Sequence, residues 1–268
     1  MDYTMNPIRL CIVGATGRFG STIIKEIDRD FELVGAVASL NNKDAGKSLR
    51  SIGLRDSDTI LHPSSSIKEA VEGADIVISV TNPVAELENV SMIAKAGKKL
   101  VIGTTGFTPE QSSKLRNCLE KIPALIASNF SIGMNFIFNI ASMTSSLPPE
   151  YDASIVETHH TGKLDSPSGT ALTLGNIMSK ARGYSKTVFD RRAAGKRSRG
   201  ELEILAQRLG GVPGIHEINI AGPYEMIRIE HIAFSRSVFA QGALLAAKWL
   251  HNIQNPGIYN MQDVLRPK

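Results

Sequence analysis

The stretch IRLCIVGATGRFGSTIIKEI, residues 8–27, decides the fold class of this chain. A short apolar run is followed by Gly14, Gly17 and Gly20, and then by apolar residues at helical spacing. This order predicts a strand, a glycine-rich turn and a helix, which together open a dinucleotide-binding unit. In such a unit the glycines let the backbone approach a pyrophosphate, and the helix N-terminus binds it. The spacing is GxxGxxG rather than GxGxxG, so a glycine-rich turn without a ligand is the alternative for this stretch alone.

The chain that follows repeats this alternation of strands and helices. Strand-like apolar runs stand at residues 31–38 and 74–80, from residue 98, and at 124–128, with helical segments between them. The alternation predicts a parallel sheet covered by helices. The loops VTNP, GTTGF and NFSIGMN follow these runs, where open parallel sheets bind their ligands. Each loop alone is also compatible with an ordinary capped turn.

The residues after the second strand bear on the choice of cofactor. An acid at this point usually binds the ribose 2′-hydroxyl of NAD. Here the strand continues into ASLNNKDAGK, where Ser39, Asn41, Asn42 and Lys43 come before any acid. A serine and a lysine accommodate a 2′-phosphate, so the sequence favours NADPH, with NADH as the alternative.

Composition excludes several classes of protein. The chain has 268 residues, of which 42% are hydrophobic and 21% charged, as in a soluble protein with one large or two modest domains. Its net charge of +4 suits anionic small molecules as well as nucleic acid. The basic segment DRRAAGKRSR, residues 190–199, has no aromatic residues for base stacking. We therefore predict a solvated loop there and no nucleic-acid partner.

A membrane span and an oxidising compartment are not expected either. Residues 122–149 carry no charge, but Asn129, Asn135 and Asn139 would be costly in lipid, so this segment is predicted to be buried in protein or to join two domains. Two unrelated cysteines, Cys11 and Cys118, and the lack of a secretory leader predict a cytoplasmic protein.

A second region with chemical potential is VETHHTGKLDSPSGTA, residues 156–171. Alternation over residues 151–160 predicts a strand with Ile155, Glu157 and His159 on one face and His160 on the other. The two histidines then point in opposite directions, which is poor geometry for a shared zinc ion. A nucleophilic triad is also disfavoured, because Ser168 lacks the strained elbow of a nucleophile.

The second half of this region predicts the start of a helix after Pro167, with Ser168 or Thr170 as its cap. Amides and hydroxyls there would suit an anion such as a carboxylate, with positive charge from Lys163 and His160 upstream. A histidine can also donate a proton near neutral pH. The alternative is a capped helix with structural histidines.

The run ETHHTGKLDSPSGTA closely resembles the signature E-x-H-H-x-x-K-x-D-A-P-S-G-T-A of the dihydrodipicolinate reductase family. The segments VGATGRFG, GTTGF, SNFSIGMN, GGVPGIHEI and IEHIAFSRSVFAQGALLAAKWL are similar to other parts of that family, so the resemblance covers residues 8–265. Two departures stand out. The segment SVTNP has Ser79 where the family motif D-F-T-x-P has an acid, and Ser166 replaces an alanine.

The resemblance implies an α/β fold with two domains. Residues 1–130 together with 237–268 would form a Rossmann-like, doubly wound parallel sheet that binds the dinucleotide. Residues 131–236 would form a smaller α+β domain, whose open mixed sheet binds the substrate and assembles a homotetramer.

The resemblance also implies the activity: reduction of 4-hydroxy-tetrahydrodipicolinate, a cyclic dicarboxylate, by NADPH or NADH in diaminopimelate and lysine biosynthesis. His159 would be the general acid and Lys163 would support it, with no metal ion. The implied substrate-binding residues are His160, Ser168, Gly169 and Thr170. The implied cofactor-binding residues are Gly14, Ala15, Thr16, Gly17, Arg18, Phe19, Gly20, Ser39, Thr81, Gly103, Thr104, Thr105, Ser128, Asn129 and Phe130.

Two other functions fit the sequence less well. One is a different Rossmann oxidoreductase, such as a relative of aspartate or homoserine dehydrogenase. The other is a nucleotide-sensing protein that has kept the fold but not the activity. The presence of both His159 and Lys163 favours the reductase.

Overall fold

The computed structural model describes residues 6–266, except the side chain of Ala194. The strands are β1 Ile8–Val13, β2 Phe31–Ala38, β3 Leu61–Pro63, β4 Ile76–Ser79, β5 Lys99–Ile102, β6 Pro123–Ile126, β7 Asp152–His159, β8 Lys186–Val188, β9 Glu201–Arg208, β10 Ile215–Ala221, β11 Met226–Ile232 and β12 Gly257–Tyr259. The α-helices are α1 Arg18–Glu26, α2 Ile67–Glu72, α3 Pro83–Lys95, α4 Pro109–Leu119, α5 Ile132–Met143, α6 Gly169–Arg182, α7 Arg191–Ala194, α8 Ser237–His251 and α9 Met261–Leu265.

The chain divides into two compact units. The first unit runs to Phe130 and is completed by the chain from Phe239, and the second unit is Ser131–Val238. The first unit contains a seven-stranded sheet in the order β12-β6-β5-β4-β1-β2-β3, and every pairing in it is parallel. The chain extends the sheet from β1 in one direction and from β4 in the other, which is the doubly wound, Rossmann-like topology. This part of the predicted fold class is confirmed.

The central strands of this sheet are apolar on both faces. In β1, Leu10 and Ile12 join one buried cluster, whereas Cys11 and Val13 join another on the opposite face. Residues from α1 and α8 pack into the first cluster, and residues from α2, α3 and α4 pack into the second. Helices thus cover both faces, which is why these strands are apolar runs without alternation.

The second unit contains a five-stranded sheet in the order β11-β10-β7-β9-β8. Strands β7, β8 and β9 are parallel to one another, whereas β10 is antiparallel to both β7 and β11. Helices α5 and α6 pack against β7, β9 and β10 through one apolar cluster. The predicted mixed sheet is confirmed.

The uncharged stretch 122–149 forms β6 and α5, and α5 buries Met134, Ile137, Phe138 and Ala141. No helix in the described part of the chain is long and apolar enough to cross a membrane.

The basic segment 190–199 was predicted to be a solvated loop, but it contains the short helix α7 and is anchored to the second sheet. Arg191 pairs with Glu201 at 2.7 Å and with Glu203 at 3.0 Å, and Arg197 pairs with Asp152 at 3.3 Å. Two of its five basic side chains therefore pair with carboxylates elsewhere in the same unit.

Candidate active site

A cavity of about 670 Å³ lies in the first unit, at the carboxyl ends of β1, β2 and β4. This is the point at which the winding of the sheet reverses, where open α/β sheets bind ligands, and its volume suits a small molecule. Seven of the predicted cofactor-binding residues line it, namely Gly14, Thr16, Gly17, Arg18, Phe19, Ser39 and Thr81.

Two positions of the glycine turn beside this cavity, Gly14 and Gly20, leave no space for a side chain. Gly14 has φ +87°, and a Cβ atom there would lie 2.4 Å from the carbonyl oxygen of Val80. A Cβ atom on Gly20 would lie 2.1 Å from the carbonyl oxygen of Gly14. Helix α1 starts at Arg18, and its N-cap Gly17 offers no side-chain cap to the first amides. The turn and the positive end of the helix dipole therefore fit a pyrophosphate.

The cavity wall next to β2 is formed by the end of that strand and the residues that follow it. Ser39 lines this wall. The side-chain amide of Asn42 donates to the hydroxyl of Thr16 at 3.2 Å, which connects the loop after β2 to the glycine turn. Among the described residues that line the cavity, Arg18 is the one charged side chain and there is no carboxylate.

The other predicted cofactor-binding residues do not line the cavity, and some of them pack behind the residues that do. Phe130 is 2% exposed and its ring centroid is 6.0 Å from that of Phe19, while Thr104 is 5% exposed. A Cβ atom on Gly103 would lie 2.8 Å from the ring of Phe130. The predicted residues that do not line the cavity are Ala15, Gly20, Gly103, Thr104, Thr105, Ser128, Asn129 and Phe130.

The second unit has a polar cluster at the carboxyl end of β7. Along one face of this strand Ala153 and Ile155 belong to the apolar core, and Glu157 and His159 follow at the same two-residue period. Sheet register places Arg208 of β9 beside His159 and His216 of β10 beside Glu157. Four polar residues from three strands therefore share one buried face.

Glu157 is the centre of this cluster and is fully buried. Its carboxylate contacts Nδ1 of His159, accepts from Arg208 Nη1 at 3.1 Å and accepts from the backbone amide of Ser168 at 3.2 Å. Burial raises the pKa of Glu157, but the hydrogen bonds and positive charges of His159 and Arg208 outweigh it and hold the pKa below its usual range. An ionised Glu157 can only accept, so Nδ1 of His159 carries a proton and Nε2 is the nitrogen left for chemistry.

His216 closes the other side of the cluster. It is 2% exposed, its ring meets that of His159 edge to face at 5.1 Å, and its Nε2 is 3.3 Å from the hydroxyl of Ser168. Burial, followed by the charge of His159, lowers the pKa of His216 to about 3. This histidine is therefore neutral at physiological pH.

The loop between β7 and α6 carries the remaining predicted substrate residues. Lys163 is 2.9 Å from the carboxylate of Asp165, and Arg208 donates to the carbonyl oxygen of Asp165 at 2.6 Å. Ser168 is the N-cap of α6, because its hydroxyl accepts from the amide of Ala171 at 3.2 Å. The amide and hydroxyl of Ser168 thus have protein partners, unlike the unengaged groups expected from the sequence.

Gly169 and Thr170 form the first turn of α6, and Gly169 occupies its first position. The amide at that position has no acceptor within the helix. His160 comes directly after β7, and Thr170 is buried. The structure therefore brings His159, Lys163, Ser168 and Gly169 into one segment around the β7 to α6 loop.

Glu157, His159 and His216 also place three potential metal-ligand atoms within 4.8 Å of one another. The carboxylate of Glu157 already contacts His159, Arg208 and the amide of Ser168, and the guanidinium of Arg208 opposes the approach of a cation. Nδ1 of His216 is buried without a hydrogen-bond partner among the described residues. The arrangement is therefore better suited to hold and transfer a proton than to hold a cation.

Three of the four cluster residues were missed by the sequence-based prediction. Glu157 was placed on the face of His159 but given no role, although the two-residue spacing was a sufficient signal. Arg208 and His216 reach the site through strand pairing alone, and they lie 49 and 57 positions after His159 in the chain.

A Rossmann-like unit with a glycine cradle, and a buried histidine held by a carboxylate, define a nicotinamide-dependent oxidoreductase. Comparison with known proteins identifies the family. The family model for the N-terminus of dihydrodipicolinate reductase matches residues 8–130, and the model for its C-terminus matches residues 133–265. The chain belongs to the dihydrodipicolinate reductase family, which acts in diaminopimelate and lysine biosynthesis.

Individual relatives agree with this family. The chain is 39% identical to the 4-hydroxy-tetrahydrodipicolinate reductase of Methanopyrus kandleri, over 96% of each protein. It is 38% identical to that of Methanosarcina barkeri, over 96% of this chain and 99% of the relative. The dipicolinate-bound dihydrodipicolinate reductase from Paenisporosarcina sp. TG-14 has a TM-score of 0.72 and 26% identity, over 97% of this chain and 100% of that chain.

Proposed function

We propose that this enzyme reduces 4-hydroxy-tetrahydrodipicolinate to tetrahydrodipicolinate, with His159 as the proton donor. The observation that carries the proposal is the contact between His159 and the buried, Arg208-paired carboxylate of Glu157. The names of the relatives and the dipicolinate bound to a related reductase support a cyclic dicarboxylate as substrate. In the overall reaction water leaves, and the ring gains one hydride and one proton.

His159 is suited to donate the proton. With Nδ1 facing Glu157, the imidazolium can release its other proton from Nε2, and Glu157 stabilises the charged ring before transfer. Gly214 leaves space at this nitrogen, because a Cβ atom there would lie 3.2 Å from Nε2. A reduced nicotinamide, when bound, supplies the hydride.

Lys163 and the start of α6 are suited to hold the substrate carboxylates. The ammonium group of Lys163 is partly exposed beside Asp165, so a substrate carboxylate can replace or share this partner. Gly169 and Thr170 offer the positive end of a helix of 14 residues, with His160 nearby in the chain. Ser168 contributes indirectly, since it links the cap, Glu157 and His216.

We propose NADPH as the preferred reduced cofactor, although NADH fits the same cradle. Arg18 and Ser39 line the cavity, and none of the described residues lining it is a carboxylate that would repel a 2′-phosphate. We expect Arg18→Gln to raise the Kd for NADPH about 10-fold and the Kd for NADH less than twofold, as expected for loss of one charged contact. Equal changes for both dinucleotides would contradict this preference.

A coupled assay tests the activity. Substrate is generated by dihydrodipicolinate synthase, and the oxidation of NADPH and of NADH is followed in parallel. We expect oxidation only when the synthase product is present, and Lys163→Ala should lower kcat about 100-fold, within the range for proton-transfer catalysis. Oxidation that depends instead on aspartate semialdehyde, with none on the synthase product, would overturn the proposal.

We further propose that residues 131–236 bind the substrate and assemble a homotetramer in the cytoplasm. Strand β11 is an edge strand, and it exposes Met226, Ile227 and Ile232. An exposed apolar edge of this kind is commonly covered by another chain. Sedimentation should give the mass of a tetramer, and Ile227→Glu should reduce it.

A further inference from the structure

A fully buried carboxylate lies behind Thr81, a residue that lines the cavity of the first unit. Glu86 lies in the first turn of α3 and is 0% exposed. One of its oxygens accepts hydrogen bonds from two hydroxyls, that of Thr81 at 2.6 Å and that of Thr104. Glu86 therefore joins the loop after β4 to the loop after β5.

This carboxylate lies near a loop whose family motif has an acid that this chain lacks. Ser79 stands at the end of β4, where the family motif D-F-T-x-P has an acid. Its hydroxyl is buried and has no hydrogen-bond partner among the described residues, and neither has the second oxygen of Glu86. This chain thus brings a carboxylate to the β4 loop from a helix instead of from the strand.

Glu86 fixes which hydrogen bonds Thr81 can make. A threonine has one hydroxyl proton and two lone pairs, together with one backbone N–H. The hydroxyl proton of Thr81 is directed to Glu86, and its N–H donates to the hydroxyl of Thr104 at 2.9 Å. Thr81 lines the cavity, so it can offer a ligand only hydrogen-bond acceptors there.

The sheet order identifies the part of the cofactor that meets Thr81. The glycine turn follows β1, and β2 and β4 are its neighbours on opposite sides. If the pyrophosphate binds at that turn and the 2′-phosphate beside Ser39 after β2, the loop after β4 is the part of the cavity left for the nicotinamide half. The one hydrogen-bond donor that the nicotinamide ring carries is the amino group of its carboxamide substituent.

We propose that Glu86 is a positioning residue that holds the Thr81 hydroxyl as an acceptor for the carboxamide amino group of the nicotinamide. This inference rests on the proposed function, because it needs a nicotinamide cofactor in the cavity. Glu86 acts through Thr81 and does not touch the reacting atoms.

The test is a binding cycle that needs no turnover. Kd values are measured by calorimetry for NADPH and for its reduced 3-acetylpyridine analogue, in which a methyl group replaces the amino group. We expect the wild-type protein to bind NADPH about 10-fold more tightly than the analogue, the usual scale for one well-placed hydrogen bond. In Glu86→Gln the preference should fall below twofold, because a glutamine amide can donate to Thr81 and turn its hydroxyl proton outward.

Matched variants protect this test from a folding defect. Glu88→Gln makes the same change at an exposed position of the same helix and should keep the full preference. Thr81→Val, which removes the hydroxyl but leaves Glu86 in place, should lose the preference for NADPH over the analogue. Thr81→Ser, which keeps a hydroxyl, should show the preference. If Glu86→Gln does not fold, the comparison of Thr81→Val with Thr81→Ser decides the test.

The outcomes separate the two proposals. If the wild-type protein binds neither NADPH nor NADH, the proposed function fails. If it binds NADPH but Glu86→Gln or Thr81→Val keeps the wild-type preference over the analogue, only the role of Glu86 is overturned.

Discussion

The glycine cradle of the first unit and the polar cluster of the second unit are built in different ways. The cradle comes from seven consecutive residues, Gly14 to Gly20, and works mainly through backbone amides. The cluster comes from β7, β9, β10 and the cap of α6, and works through side chains that contact one another. One site is local in sequence, and the other is produced by strand register.

This difference determines how each site responds to substitution. In the cradle a side chain matters mostly through the volume it adds, because there is no space for a Cβ atom at Gly14 or Gly20. In the cluster the side chains hold one another by hydrogen bonds, so removal of one leaves a buried polar partner unsatisfied. We therefore expect large and non-additive effects in the second unit, with cofactor binding in the first unit unchanged.

The largest effect should come from His159→Gln. Loss of the proton donor should lower kcat about 100-fold or more, the scale of general acid catalysis. The Kd for NADPH, measured by calorimetry, should change less than twofold, because the cradle is built from other residues. Near-normal turnover of this variant would remove His159 from the acid role, and a lost affinity for NADPH would break the separation of the two sites.

Glu157→Gln should have the next largest effect, with kcat lowered about 10- to 100-fold, since the acid loses its orientation and its stabilising charge. Because Glu157 acts through His159, the same change in a His159→Gln background should add little. The double-mutant cycle for kcat measures this coupling. Glu150→Gln, an exposed glutamate just before β7, is the matched control and should leave kcat unchanged. Additive losses would show that Glu157 has a separate role.

The same contrast explains what the sequence could predict. Strands β1 and β2 were located to the residue, because a parallel sheet covered on both faces requires continuous apolar runs. Strands β3 and β12 have three residues each, and such a short run has no period that a sequence pattern could reveal.

For the candidate sites, the sequence located the structural features that are formed by contiguous residues. The glycine turn and the cap of α6 are contiguous signals, and both were located. Arg208 and His216 were missed because register between distant strands brings them to Glu157 and His159. The contact of Glu86 with Thr104 could not be predicted for a similar reason, since Thr104 lies 18 residues later, in the loop after β5.

A smaller effect is expected from Gly214→Ala, which adds a Cβ atom next to the polar cluster and so tests whether added volume matters there as it does in the glycine cradle. Its new Cβ atom would lie 3.2 Å from Nε2 of His159 and 3.7 Å from the ring of His216. We expect kcat to fall about 10-fold through misplacement of the acid, with an unchanged Kd for NADPH. Gly211→Ala is the control from the same loop, because nothing lies within 4 Å of a Cβ atom there. Equal kcat values for the two variants would show that the space at Nε2 is not needed.

The smallest effect lies outside both sites and concerns acid stability. Hydrogen bonds from Arg191 and Lys186 lower the pKa of Glu201 to about 2 from its ordinary 4.5. A depressed pKa stabilises the folded state above the unfolded value, and this stabilisation is lost as pH falls from about 4.5 to about 2. Glu201→Gln should therefore lower Tm by a few degrees at pH 6, roughly the shift for one interaction in a chain of this size. At pH 2.5 the same substitution should lower Tm by less. In the first unit Asp44→Asn removes an exposed pair with Lys47, and it should change Tm little at either pH. A Tm difference for Glu201→Gln that stays constant between these pH values would show that ionisation of this carboxylate does not stabilise the second unit.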